Sequence, residues 1–508
     1  MMNDKNRRIA RNTVMLYFRQ AAILLVSLWT VRMTLKVLGE TDYGLYTVVA
    51  GIVTMFTMFS GAMASASQRF FSFALGRKDY DGLRNIFSMT LIIYAVIIVA
   101  AILLMEIGGL WFVSGYLSVP KGRETAVIWI YEANIFSLVC TLITTPYMAL
   151  IIAHENMDVY AVISIIEAAL KVFVVIAVGR MPGDKLAMYG ILTALSTFAI
   201  TFLYRFYCRR SYQESRYKSY WDKGMFKEIF SFTIWNLFGS SVGAFKIQGV
   251  NIILNQSFSQ IVVASRGIAS SVGTAVISFS QSFGTAIRPV IIKEYAAENY
   301  EKVNALIGSA SKLTFLLMYI FILPLAFEIH TVLKIWLGNV PVNAALYTVL
   351  TLIDALIDSV SYPLMTAAQA TGKIRLYQTI VGGIQLSNLP ISMIAVLLGS
   401  PAYGVFVIAI ILTFLSFAVR ILILSKIMSF HAGRFIKHTI LPLICATIVT
   451  VWVPYGITLF FEQSLIRILA TSFLSLVSIC IVFWLIVADK NEKVFIVDFI
   501  KEKRGRLR

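Results

Sequence analysis

The chain has 508 residues, of which 58% are hydrophobic and 14% charged, and its mean hydropathy is +0.80. Soluble globular chains are about 45–50% apolar and about 25% charged, so a string of soluble domains is excluded. The 44 Lys and Arg against 26 Asp and Glu give a net charge of +18; on a soluble chain this would suggest nucleic acid, whereas here it asks which side of a membrane the charge occupies.

A hydrocarbon core about 30 Å thick needs about 20 apolar residues per helix. The sequence offers about fourteen such stretches, at 13–37, 43–66, 86–112, 125–150, 160–179, 186–206, 228–254, 260–285, 305–329, 343–367, 377–398, 403–424, 439–460 and 467–488. Runs such as the one starting at Leu91, LIIYAVIIVAAILLM, are apolar on every face, unlike the alternating strands of a barrel. The fold class expected is an all-α polytopic membrane protein. The basic start MMNDKNRRIARN resembles the n-region of a signal peptide, but the stretch after it is full length, carries Arg19 and Arg32, and lacks a small-residue cleavage site. It is expected to remain as the first helix.

The Lys/Arg distribution sets the orientation. Basic residues fill the N-terminal tail (Lys5, Arg7, Arg8, Arg11), the 67–85, 205–227, 286–304, 370–376 and 425–438 loops, and the tail from Lys490 to Arg508. For fourteen spans all of these lie on one side, with about thirty cations there against about six opposite (Lys121, Arg123, Arg180, Lys185, Lys334 and Arg467). Both termini are therefore expected in the cytoplasm, at a bacterial plasma (inner) membrane.

Little in the sequence points to catalysis. It has no GxxxxGK[S/T] phosphate loop, and His154, His330, His431, His438 and the four cysteines show no metal-ligand spacing. The cysteines fall in spans or at a cytoplasmic end, where disulfides are not expected. The short outer loops leave no room for sugar-processing chemistry, so no enzyme activity, cofactor or metal is expected.

The chain repeats itself at an offset of roughly 220 residues. The segment TTPYMALIIAHENMDVY, from Thr144, matches VSYPLMTAAQATGKIRLY, from Val360, pairing Pro146 with Pro363, Met148 with Met365, Ala153 with Ala370 and Tyr160 with Tyr377. In the same order Arg69 pairs with Arg288, Tyr80-Asp81 with Tyr300-Glu301, Pro120 with Pro341, and Tyr189-Gly190 with Tyr403-Gly404. An even number of spans separates the copies, which makes two parallel six-helix lobes, 1–206 and 228–424. A basic cytoplasmic linker, 207–227, joins them, and a C-terminal helix pair with a basic tail, 425–508, lies outside the repeat.

With its two lobes, its VLGETDYGLY turn after the first span, its SASQRFFSFALGRKDYDGL loop after the second and the VLKIWLGNVP ending of the ninth, the sequence resembles the polysaccharide-transporter branch of the MOP exporter superfamily. That branch includes Wzx-type flippases for O-antigen, lipopolysaccharide and capsule units. The resemblance implies a V-shaped cavity between lobes, lined by the first, second, seventh and eighth spans. It also implies alternating access, a lipid-linked oligosaccharide as cargo, and a polysaccharide polymerase and glycosyltransferases as partners.

An ionisable group at bilayer depth costs several kcal/mol unless it faces a partner, a cavity or the interface. Of eight cations inside the spans, Lys171 can pair with Glu167 one turn earlier, and Lys312 and Arg420 are close enough to the cytoplasm to snorkel. The remaining five, Arg19, Arg32, Lys36, Lys246 and Arg266, sit on the first, seventh and eighth spans, whose interiors hold no acid. Arg32 and Lys36 share a face, with Arg19 about 140° away and nearer the cytoplasm, so snorkelling would explain Arg19 equally well. Gly239, Gly243 and Lys246 share a face of the seventh span, as do Ser259, Arg266, Ser270, Gly273 and Ser280 on the eighth; such small residues leave room for a bulky ligand or for close helix packing.

A polyprenyl pyrophosphate carries about two negative charges, and guanidinium and ammonium donors in a low-dielectric cavity replace the water it loses. Arg32, Lys36, Lys246 and Arg266 are the leading candidates for this role, followed by Arg19. Arg69 and Arg288 are candidates for the cytoplasmic mouth. Asp354 and Asp358 could bind a coupling proton or sodium ion, or serve as a structural polar pair; the membrane potential is a third energy source. Sugar contacts would come from Asn236, Gln248, Asn251, Gln281 and tyrosines. Two rival readings stand beside the flippase: a MATE-type multidrug or cation antiporter, for which the interiors of the first, second, seventh and eighth spans lack acids, and a membrane enzyme of polysaccharide assembly. Nucleic acid is not an expected partner.

Overall fold

The computed structural model describes residues 2–110, 122–258, 260–338, 340–489 and 492–494. Expectations on Pro120, Lys121, Ser259, Lys490 and the basic tail from residue 495 lie outside the described residues, as do those on the side chains of Lys5, Arg7, Arg8, Arg11 and Gln248.

The described residues form long helices: α1 (Met2–Gly76), α2 (Tyr80–Gly109), α3 (Glu124–Ala153), α4 (Met157–Arg180), α5 (Lys185–Ser211), α6 (Lys223–Ser257) and α7 (Gln260–Ala296), followed by α8 (Tyr300–Leu337), α9 (Ala344–Ala370), α10 (Ile374–Leu397), α11 (Tyr403–Ile427), α12 (Ala432–Phe460) and α13 (Leu465–Val487). The protein is an all-helical, multi-pass membrane protein. Among the described residues 13 stretches are long and apolar enough to cross a bilayer, each on an expected span. The remaining expected span, 43–66, falls on the second limb of α1, where the side chains of 51–59 are outside the described set.

Helix α1 breaks at Gly39, whose φ of 79° and ψ of 169° lie where a side chain is strongly disfavoured. The chain forms two compact units, 12–240 and 241–508 with 1–11, and the division falls inside α6. The paired sequence landmarks occupy corresponding helix positions in the two units. Tyr80 and Tyr300 open α2 and α8, Ala153 and Ala370 close α3 and α9, and Pro146 and Pro363 lie inside those two helices.

In the 12–240 unit α3 runs against α5, and their close approach depends on Gly190, where a Cβ would stand 3.1 Å from the backbone of Ile130. Val127, Ile130, Tyr131 and Ile135 from α3 and Val174 and Val178 from α4 form one end of the core; Phe71, Phe87, Tyr147, Leu150 and Tyr204 form the other. At one end Arg123 bridges the carboxylates of Asp42 and Asp184, and Asp184 also caps α5 through the N–H groups of Leu186 and Ala187. At the other end of α3 His154 Nε2 meets Glu214 Oε1 at 2.6 Å, with the imidazole stacked on Tyr212 at 4.2 Å. Burial pushes the Glu214 carboxyl up, but hydrogen bonds from His154 and the backbone, together with the His154 charge, outweigh it and hold Glu214 below its ordinary range.

In the other unit α8 packs against α7 and α9 and also carries the C-terminal pair. Arg467 at the start of α13 donates to Glu328 of α8 from both Nε (3.2 Å) and Nη2 (2.9 Å), Thr471 donates to the same carboxylate, and Tyr319 meets Thr450 of α12 at 2.8 Å. Lys312 of α8 reaches Asp489 at 2.7 Å and Glu492 at 3.3 Å.

Two expectations are corrected here. Lys312 and Arg420 do not snorkel: both are buried, Lys312 against Asp489 and Glu492, and Arg420 against Asp358 at 2.6 Å. Their acids come from other segments of the chain, which the spacing along one helix cannot reveal. Arg467, counted as an outer-loop cation, is likewise buried, on Glu328.

Candidate functional site

The first limb of α1 turns Met33, Val37 and Leu38 toward the core of its unit, with Val37 against Gly179. The opposite stripe is exposed and holds Leu25, Trp29, Arg32 and Lys36. Neither Arg32 nor Lys36 has a hydrogen-bond or ion-pair partner among the described residues. Arg19 faces another way, into its own unit, where Nη2 donates to the Tyr160 hydroxyl at 3.1 Å and the guanidinium lies 4.5 Å from the centre of that ring. It lines a cavity of about 510 Å³ with Glu167, Lys171 and several hydroxyls from α3, α4 and α5. Glu167 and Lys171 pair at 2.7 Å, as their one-turn spacing leads one to expect.

In the 241–508 unit, Arg266 on α7 is held by neutral groups. Its Nε donates to Asn251 Oδ1 at 2.5 Å, Nη2 lies 3.4 Å from the Ile247 carbonyl, and the Phe406 ring is 5.4 Å away. These contacts orient the guanidinium without cancelling its charge. Asn251 also lines a cavity of about 410 Å³ with Gln256 and Gly267. Lys246 is different: its Nζ lies 3.7 Å from Asp354 Oδ2 on α9. The acid missing from its own span is supplied from the tenth. Asp358, one turn on, accepts from Arg420, so the two carboxylates that share a face of α9 each meet a cation. Asp354 Oδ1 is buried with no hydrogen-bond partner among the described residues.

Arg69 and Arg288, a repeat-related pair, are both packed on aromatic rings. Arg69 is buried, 3.6 Å from Glu228 and 4.5 to 5.2 Å from the rings of Phe70, Phe73 and Phe232. Arg288 donates to the Tyr362 hydroxyl at 2.9 Å. Of the sugar-contact candidates, Asn236 donates to the Ala62 carbonyl at 2.7 Å inside the 12–240 unit, Asn251 holds Arg266, and Gln281 is exposed on α7.

Comparison with known proteins places this arrangement. The family described as "Polysaccharide biosynthesis protein" matches residues 9–293, more than half of the chain. The chain belongs to the polysaccharide biosynthesis protein family. Among solved structures it is similar to an outward-facing multidrug resistance MATE family transporter of the MOP superfamily (TM-score 0.72, 12% identity, covering 83% of this chain and 96% of that one). It is also similar to a MOP superfamily transporter from Pyrococcus furiosus described as having a binding pocket of reversed polarity (TM-score 0.65, 12% identity, 83% and 96%). A third is the MATE transporter ClbM with Rb+ (TM-score 0.64, 17% identity, 83% and 94%). No curated protein sequence matches the chain. These likenesses show that this member of the polysaccharide biosynthesis protein family has the fold of those transporters.

Within this family member, two features escape a span-by-span reading. Glu328 ends an apolar stretch and draws no attention until Arg467 is placed on it. The hydroxyls around the Arg19 cavity look like ordinary span residues; the signal that would have found them is Thr141, Thr144 and Thr145 on one face of α3, at three- and four-residue spacing.

Proposed function

We propose that this transporter moves a polyprenyl-pyrophosphate-linked oligosaccharide, an O-antigen, capsule or related repeat unit, from the inner to the outer leaflet of the bacterial plasma membrane. The two units would expose a cationic path alternately to either side, while the lipid tail stays in the bilayer. The observation that carries this reading is the state of the cations at membrane depth. Arg32 and Lys36 have no partner among the described residues, and Arg266 is hydrogen-bonded by neutral groups with Asp354 near enough to act on its charge, so charge is available to an anion that must shed water. Lys246, loosely paired with Asp354, would exchange a carboxylate for a phosphate. Release of Asp354 in that exchange would give a proton or sodium ion a place to bind, which is the coupling route we favour. A polymerase and glycosyltransferases acting on the same lipid are the partners that fit.

A drug-cation exporter fits less well. Three of the acids inside spans are answered by cations, Glu167 by Lys171, Asp354 by Lys246 and Asp358 by Arg420.

Transbilayer movement of the lipid-linked oligosaccharide in vesicles tests the proposal. A charge-assisted hydrogen bond contributes about 1.5–3 kcal/mol, so Arg32→Ala, Lys36→Ala, Lys246→Ala and Arg266→Ala should each slow transport about tenfold or more, and Arg32→Lys should recover part of the loss. Transport at the wild-type rate in all four alanine variants would refute the cationic path.

A further inference from the structure

The cavity beside Arg19 plays no part in the cationic path, and its chemistry is of another kind. We infer that it is a sugar subsite, which takes carbohydrate of the cargo while the pyrophosphate is held by the cations; this rests on the function proposed above.

Its volume of about 510 Å³ lies within the range of small-molecule sites, about 300–1,000 Å³. The hydroxyls in its wall are directed backward along their own helices. Thr141, Thr144 and Thr145 on α3 donate at 2.8 Å to the carbonyls of Ser137, Cys140 and Thr141. Ser164 on α4 donates to Tyr160 at 2.8 Å, and Ser196 and Thr197 on α5 both donate to Thr193, at 2.7 and 2.9 Å. A hydroxyl has one proton and two lone pairs. With each proton committed to a carbonyl, these groups can offer a ligand mainly lone pairs. Together with the Glu167 carboxylate they make one stretch of the wall an acceptor of hydrogen bonds.

Such a stretch suits a ligand that brings many O–H donors of its own. It disfavours a phosphate, which has only acceptors, and an apolar ligand, which would leave the lone pairs unsatisfied. A sugar ring supplies the donors. Its donors are Arg19, whose Nε is buried with no hydrogen-bond partner among the described residues, Lys171, and the hydroxyls of Thr30, Tyr160 and Tyr204. They mark where a ring oxygen, an acetamido carbonyl or a carboxylate of the sugar would lie. A bare cation is disfavoured by Arg19 and Lys171, since Glu167 is already neutralised by Lys171 at 2.7 Å and the Arg19 charge lies in the cavity.

The other unit shows that the fold does not require this wall. At the repeat offset that pairs Pro146 with Pro363, Thr141 corresponds to Asp358 and Tyr160 to Tyr377. There the acid is consumed by Arg420 at 2.6 Å. Where one unit closes an ion pair, its counterpart keeps hydroxyls around a cavity.

The test uses full-length protein in lipid nanodiscs and measures binding of a polyprenyl pyrophosphate without sugar and of the same lipid carrying a neutral, an N-acetylated or a uronic-acid disaccharide. At least one glycosylated lipid should bind more tightly than the bare one. Thr141→Val and Thr197→Val, which keep volume and remove lone pairs, should each weaken that lipid about fivefold or more and leave the bare lipid and the unfolding temperature unchanged. Equal effects on glycosylated and bare lipid in both variants, or no effect, would overturn the subsite. So would binding of tetraphenylphosphonium by the wild type that is lost in Glu167→Gln, which would mark a cation site. If the wild type binds none of the pyrophosphate lipids, the flippase reading fails first and the subsite falls with it.

Discussion

A charge inside a bilayer can be compensated by an opposite charge, by neutral hydrogen bonds or by a ligand, and the cations of this protein use the first two. The two acids of α9 show what the difference is worth. Arg420 is buried and donates to Asp358 at 2.6 Å, whereas Lys246 and Asp354 are 3.7 Å apart and partly exposed. Asp358→Asn should therefore lower stability by about 2 kcal/mol, because it strips a buried guanidinium of its counter-charge. Asp354→Asn should cost less than about 1 kcal/mol. Thermal unfolding in detergent gives the order, and the reverse order would show that the Asp354 pair is the structural one. Outside the membrane, Glu214 titrates below its ordinary value near 4.5 because His154 and the backbone hydrogen-bond to it against the cost of burial. A depressed folded-state pKa means that the contribution is fully present above that ordinary value and is lost as pH falls through the folded-state value. Unfolding temperature should thus decline on acidification below about pH 4.5, and Glu214→Gln should be less stable at neutral pH with a flatter decline. An identical pH profile in the variant would place the acid sensitivity elsewhere.

At the scale of elements, the C-terminal pair α12 and α13 is fastened to α8 at both ends. Glu328, Arg467 and Thr471 make one fastening, and Lys312 with Asp489 and Glu492 makes the other. Both residues of the Glu328–Arg467 pair are at least nine-tenths buried. Arg467→Ala would leave a carboxylate uncompensated in a low-dielectric setting, at a cost of about 3–5 kcal/mol. The double variant Glu328→Gln with Arg467→Gln should recover much of it, a pattern that a double-mutant cycle detects. Additive losses would mean that the pair is not coupled. The sequence placed these helices outside the repeat and supplied their lengths. It did not say what they rest on, because Glu328 and Arg467 are 139 residues apart.

For the whole molecule, the Lys/Arg asymmetry predicts the topology. Fusions of a cytoplasm-active reporter to residue 1 and residue 508 should both be active, and a cysteine introduced at Arg123 or Lys334 should react with an impermeant reagent from outside. An outward-facing terminus would shift the span count by one and undo the parallel-lobe reading of the repeat.

The sequence alone determined the number and places of the helices, because bilayer thickness imposes a length and composition that each span must satisfy locally. It determined the repeat as well, since offsets survive in linear order, and it singled out the membrane-depth cations, whose cost is a property of depth. The tertiary structure decided how each charge is satisfied. Lys246 met an acid from α9, Arg420 and Lys312, themselves buried, found acids from other segments, Arg266 rested on Asn251 and Phe406, and Arg32 and Lys36 met no partner among the described residues. Helix periodicity shows which residues share a face of one helix. It cannot show which other helix lies opposite, and Coulomb and hydrogen-bond energies depend on that neighbour at a few ångströms.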